Sequence, residues 1–268
     1  PKGTLHLEVQ KIAQLDSSAM TLDDTDHIIQ AVLRALGRAE VSGVIVTHGT
    51  DSMEETAIAL DTFVSGNKPV VLTGAMRPHD DPHPDGPSNL TLAVRTATDA
   101  HNRGKGVFVA FGGKVFHARG LHKADTQKED GFATNCPHGV KRPAPLPFKP
   151  LRDVRVDIIA AYPGAPATLI DSSIDDGAQG LVIEGMGDGN IGSTFADAAV
   201  RAATRHHVPV VLTTRVDAGQ VAGVYGGAGG GATLAEKGII SSGPLRAGQS
   251  RILVAAALAT GTDPRKLF

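Results

Sequence analysis

The chain has 268 residues, with 41% hydrophobic and 20% charged side chains and a formal net charge of −2. That composition suits one large or two medium globular domains with real cores, and gives no electrostatic reason to expect nucleic acid or an anionic membrane as partner. Cys136 is the only cysteine, which excludes an intrachain disulfide and any cysteine-built zinc site and fits a reducing compartment. No apolar run approaches the roughly 20 residues of a membrane span. The N-terminus lacks a signal-peptide core, but it does not begin with methionine, so residues upstream of Pro1 are expected to have been removed or left out.

In chain order, a short apolar run (Ile12, Ala13, Leu15) reads as a strand leading into "DSSAM" at 16–20. Thr21 and Asp24 then form a capping box for a helix with Ile28, Ile29, Val32, Leu33 and Leu36 on one face. "GVIVT" (43–47), "PVVLT" (69–73), "GVFVA" (106–110), "VDIIAAY" (156–162), "GLVIEG" (180–185) and "VPVVLT" (208–213) read as strands. These are continuous apolar runs, so a parallel sheet covered on both faces is expected. Helical patterns follow at 54–65, 89–101, 194–206 and 250–259, giving a doubly wound α/β architecture. A proline-rich stretch at 141–153 reads as a connection, dividing the chain into an N-terminal domain (1–140) and a smaller α/β C-terminal domain (154–268). "YGGAGGGATL" (225–234) reads as a flexible loop.

Polar constellations sit where strands hand over to helices, the usual place for ligands in open parallel sheets. In "THGTDSMEETA" (47–57), Ser52 and Glu55 fit a capping box, and Glu54 and Glu55 suit the positive end of the helix dipole. If Ser52 caps, Thr50 and Asp51 are free to point elsewhere; spacing alone leaves them as turn residues or as a site. A threonine hydroxyl needs a partner that takes its proton or stabilises its alkoxide, and Lys123 in "ARGLHKADT" could reach the same sheet edge. Ser17 and Ser18 could donate to a carboxylate or could be turn residues, and Gly74 with Ala75 would let a ligand approach the backbone. "RPHDDPHPDGPSN" (77–89) is broken by proline and glycine and reads as a solvated loop, not a metal site. "GMGDGN" (185–190) is only half of a dinucleotide fingerprint.

The strings "VTHGTDSMEETA", "PVVLTGAMRP", "DGPSNL", "RGLHKADT", "LDSSAM" and "GMGDGN" together resemble the bacterial-type L-asparaginases, over essentially the whole chain. The resemblance implies hydrolysis of L-asparagine to L-aspartate and ammonia without metal or cofactor. It also implies a cytoplasmic homotetramer built as a dimer of dimers, with a periplasmic or secreted enzyme as the alternative. By position, Thr50, Asp51 and Lys123 match the catalytic set, in which the threonine attacks the amide carbon or positions the attacking water. Asp51 would hold the substrate ammonium and Ser17 its carboxylate. Gly49 and Ala75 would line the side chain, and Asn190 would reach in from a neighbouring subunit. Ser18 stands where many relatives carry glutamine, so the contact there differs, and no acidic counterpart follows Arg215. The family's opening "TGGTI" strand, with its nucleophilic threonine, and the tyrosine-bearing loop after it have no match. Thr4 lies too close to Ser17 to serve and fits the strand before "DSS". Either a segment upstream of Pro1 is absent or the chain is a nucleophile-deficient relative that binds amino acids without turnover; the non-methionine start favours the first. A broader asparaginase–glutaminase, or a related amidohydrolase domain of a transamidation complex, stands as the alternative enzyme.

Overall fold

The computed structural model describes residues 5–137, 139 and 141–268. Gly3 and Thr4 lie outside the described residues. Two sheets, each of four strands, organise the chain as two α/β domains. The first runs β1 (Val44–Thr47), β2 (Val70–Thr73), β3 (Val107–Phe111), β4 (Lys114–His117) in spatial order. Its first three strands are parallel, and β4 returns antiparallel through Gly112 and Gly113 at φ 55° and 74°. Positive φ at both central residues is what a tight hairpin turn demands. A separate antiparallel pair, β5 (Leu121–Lys123) with β6 (Phe132–Thr134), follows. The second sheet is wholly parallel, in spatial order β10 (Ile240–Ser241), β9 (Val210–Thr214), β8 (Gly180–Gly185), β7 (Val156–Ala160).

The helices are α1 (Leu22–Leu36), α2 (Met53–Phe63), α3 (Gly86–Thr98), α4 (Thr168–Asp175), α5 (Ser193–Thr204), α6 (Gly231–Glu236) and α7 (Ala247–Thr260). The capping box of α1 forms as its sequence predicts: the Thr21 N–H donates to the Asp24 carboxylate (2.8 Å) and the Asp24 N–H to Thr21 Oγ1 (3.2 Å). After its polar first turn α7 is apolar, with Ile252 to Ala257 all buried, and a helix of that kind must be covered on all sides. It lies on its own strands and against α2, so one hydrophobic cluster runs continuously between the two sheets. The proline-rich connection is strapped to the first domain. Both Asp26 carboxylate oxygens receive the Leu151 N–H (2.9 Å each), and Phe148 meets Phe63 edge-on.

Several expectations are corrected. Residues 5–16 form no strand, because no neighbouring strand among the described residues offers their backbone a ladder. The sheets are not covered on both faces throughout: β1 is half-buried, and β7, with Val156 and Ile159 buried but Ile158 and Ala160 exposed, is open as an edge strand is. Ser52 and Glu55 make no capping box. The Ser52 hydroxyl donates instead to the Ser17 carbonyl (2.7 Å), while Glu55 faces Arg251. Positions 231–234 of the glycine-rich stretch belong to α6. Within 77–89, Asp85 is buried, its carboxylate receiving the Met76 and Arg77 N–H groups (2.9 Å each).

Candidate active site

The strand β1 ends at Thr47, and six residues later α2 begins at Met53. The intervening turn is held from behind by His48. Its Nδ1 faces the Gly49 carbonyl (2.7 Å), which can only accept, so Nδ1 carries the proton and Nε2 accepts from the Thr56 hydroxyl (2.9 Å). Burial lowers the pKa of His48, which favours this neutral form. The sharp path also needs two glycines. A Cβ on Gly74 would lie 2.2 Å from the His48 carbonyl oxygen, and one on Gly49 would lie 2.5 Å from Ser17 Oγ. Gly74 therefore serves close packing of two strand ends.

Thr50 and Asp51 leave this turn toward β5, and the structure brings Lys123 to both. Lys123 Nζ donates to Thr50 Oγ1 (2.9 Å) and to Asp51 Oδ1 (2.7 Å). The lysine is largely enclosed, with its side chain 20% exposed, whereas Asp51 at 58% opens toward solvent. A cation fixed against a hydroxyl favours the alkoxide that a nucleophilic threonine must approach, and the carboxylate sets its orientation. The N-terminus of α2 lies directly behind Thr50 and adds positive potential for any charge that develops there.

Ser17 joins from a one-turn 3-10 helix (Ser17–Ala19). Its Oγ accepts the Asp51 N–H (3.1 Å), and its carbonyl is held by Ser52. An accepting hydroxyl keeps its own O–H free to donate, as a carboxylate-binding group must. Ser18 and Ala75 are exposed beside this arrangement. Asn190 stands elsewhere, closing the turn after β8 through reciprocal backbone bonds with Met186 (2.8 Å each). Among the described residues its side chain makes no hydrogen bond with Thr50, Asp51 or Lys123.

Sequence reasoning took Glu54 only as a helix-dipole partner, but its Oε2 receives the Lys123 backbone N–H (2.7 Å). Burial pushes its pKa up to about 7; Glu55 adds to the rise, and the Lys123 amide and the charges of Arg246 and Lys123 oppose it. It passed over His48 and Gln249. A histidine directly before the Gly-Thr-Asp turn was a local signal for the first; the second lies 129 residues from the Gly120 amide it binds and left none. Among the described residues no group of three His, Cys, Asp or Glu side chains is placed to hold a metal ion.

Comparison with known proteins identifies the family. Residues 1–142 match the family described as Asparaginase, N-terminal, and residues 155–267 match the Glutaminase/Asparaginase C-terminal domain. The chain is 39% identical to the "Probable L-asparaginase" of Deinococcus radiodurans, across 84% of this chain and 74% of that protein. It is 32% identical to "L-asparaginase 2" of Escherichia coli K12, across 85% and 69% respectively. The crystal structure of "Probable Cytoplasmic L-asparaginase from Campylobacter jejuni" superposes with a TM-score of 0.82 at 29% identity, covering 96% of this chain and 86% of that one. With both family domains matched in order along nearly its whole length, the chain belongs to the asparaginase/glutaminase family.

Proposed function

We propose that the chain is an amidohydrolase that converts L-asparagine and water to L-aspartate and ammonia. The single observation that carries this is Lys123 Nζ placed between Thr50 Oγ1 and Asp51 Oδ1. The relatives' names supply the substrate. Ser17 binds the α-carboxylate through its free O–H, and the open Asp51 carboxylate receives the α-ammonium. Gly49 and Ala75 line the path of the side chain, and Ser18 borders the ammonium end. Thr50 then attacks the amide carbon itself or directs a water onto it. In either case the attacking O–H loses its proton, the carbonyl becomes a tetrahedral oxyanion, and nitrogen leaves as ammonia with a proton gained. The acid product comes from water, directly or by hydrolysis of a threonyl ester.

The working unit on this reading is a homotetramer, a dimer of dimers, with Asn190 completing a neighbouring subunit's pocket. The open apolar side chains Ile158, Tyr162 and Leu169, on and beside the edge strand β7, support association with further copies. The domains are divided as 1–140 and 154–268 around the 141–153 connection. The compartment is cytoplasmic, as for the Campylobacter jejuni protein, named a probable cytoplasmic L-asparaginase; the Haemophilus influenzae relative is named periplasmic. No helix among the described residues is long and apolar enough to cross a membrane.

Ammonia release from L-asparagine and from L-glutamine tests the substrate. A strong preference for asparagine is expected. Equal efficiency on both would replace the strict reading by the broader asparaginase–glutaminase, and release from neither would refute both.

A further inference from the structure

The strand that presents Lys123 has three residues, too few ladder bonds to hold an ammonium against a hydroxyl unaided. Its support comes from the other domain. Gln249, in the first turn of α7, is fully buried in a helix that is otherwise mostly apolar. Its Oε1 accepts the Gly120 N–H (2.9 Å), and its Nε2 donates to the carbonyls of Ala118 (2.6 Å) and Glu54 (3.3 Å). Gly120 is where the chain turns into β5, at φ 82°, and a Cβ there would lie 2.5 Å from Cys136 Sγ. The turn therefore has one permitted path, and Gln249 grips it on both sides.

The other end of β5 is gripped by Glu54, whose carboxyl receives the Lys123 N–H. Glu54 is itself held by Gln249 through its backbone carbonyl. One carboxamide thus binds the start of the lysine's strand and the residue that binds its end. Filling space does not explain a glutamine here. A leucine would occupy the same volume without the cost of burying an amide, so the polar group is useful only if its three bonds are.

We propose that Gln249 is a positioning residue for Lys123, fixing from the C-terminal domain the segment through which the lysine reaches Thr50. The inference rests on the amidohydrolase reading of the Thr50–Lys123 pair. It gives the shared core between the sheets a function: the seat of α7 on α2 sets the geometry of the site.

The test compares Gln249→Leu, Gln249→Glu and Val254→Ala in the full chain, by kcat and KM for L-asparagine and by thermal melting. Gln249→Leu is expected to lower kcat about 30- to 100-fold, the usual penalty for a slightly misplaced catalytic group. Its KM should stay within about twofold, since the substrate's carboxylate and ammonium contacts persist. Gln249→Glu keeps an acceptor for Gly120 and loses both donors, so a smaller loss of kcat, about tenfold, is expected. Val254→Ala lowers the melting temperature but leaves kcat per folded molecule unchanged. Gln249 variants that lose activity only in proportion to the unfolded fraction would reduce this residue to packing. If Gln249→Leu does not fold, Gln249→Glu decides the question alone. Lys123→Met separates the two levels: parental activity refutes the reading of the site, whereas an inactive Lys123→Met beside normal Gln249 variants refutes only the positioning role.

Discussion

The two sheets end their strands in the same way, with a glycine-containing polar turn, yet they spend the polar groups differently. After β8, the turn 186–190 turns its acidic side chain inward on backbone. Asp188 accepts the Ala222 N–H (2.8 Å), and Thr214 Oγ1 donates to the Gly187 carbonyl (2.5 Å). After β1, the backbone is held by neighbours instead, by His48, Ser17 and Ser52, which leaves Thr50 and Asp51 to meet Lys123. A polar turn becomes a candidate for chemistry when other residues do the structural bonding for it.

The sharpest way to break this comparison is to remove the group on which the first turn converges. Lys123→Met keeps the aliphatic stem but discards the charge that faces Thr50 and Asp51. Turnover of L-asparagine should fall by about 1000-fold or more, with folding little changed because the Asp51 partner is open to solvent. Steady-state ammonia release with a melting curve decides it, and near-parental kcat would refute the contrast between the turns.

Next in size is the buried carboxyl beneath the lysine. The pKa of Glu54 rises from 4.5 to about 7 in the folded chain. The folded state therefore holds a proton that the unfolded chain releases between those values, so stability falls as pH rises through that window. The loss is complete above about pH 7 and amounts to at most about 3 kcal/mol. Glu55, Arg246 and Lys123 are the charged groups that face it. Glu54→Gln retains an acceptor for the Lys123 amide and cannot ionise, so it should gain on the parent in urea melts at pH 8 and match it near pH 4.5. Parallel stability–pH curves would count against the buried carboxyl.

A smaller effect is expected where a bond already belongs to the backbone but leaves one proton to give. Ser17 accepts from Asp51 and has its O–H available. Ser17→Ala should raise KM for L-asparagine about tenfold while kcat changes little, the signature of lost uniform binding of a carboxylate. A fall in kcat at constant KM would assign Ser17 to orienting Asp51.

What the sequence made legible follows the range of the forces involved. Strands β1, β2, β3, β7, β8 and β9 were readable because continuous β-branched runs need no distant information, and the Thr21–Asp24 box because both its partners lie in one turn. Thr50, Asp51 and Lys123 were singled out by residue type and by resemblance, and they do converge. Ser52 misled because its hydroxyl had a local acceptor role to fill and took a carbonyl 35 residues away. Glu54 sat beside Glu55 in a helix's first turn, where both looked like dipole partners; only tertiary packing turned one toward β5. The strand expected before Ser17 had its apolar run of Ile12, Ala13 and Leu15 but, among the described residues, no partner to ladder against.

The mildest test probes the turn that spends its polar groups on itself. Asp188→Ala removes the acceptor of the Ala222 N–H and, at 3.5 Å, that of Val224, both near the surface where water can replace it. The cost should be about 1 kcal/mol, a fall of about 2–4 °C in melting temperature for a chain of this size. Because among the described residues this carboxylate bonds only backbone, activity per folded subunit should be retained. A drop in kcat/KM at temperatures where the variant is fully folded would break the contrast from the other side. It would mean that Asp188, two residues from Asn190, serves the neighbouring subunit's pocket along with it.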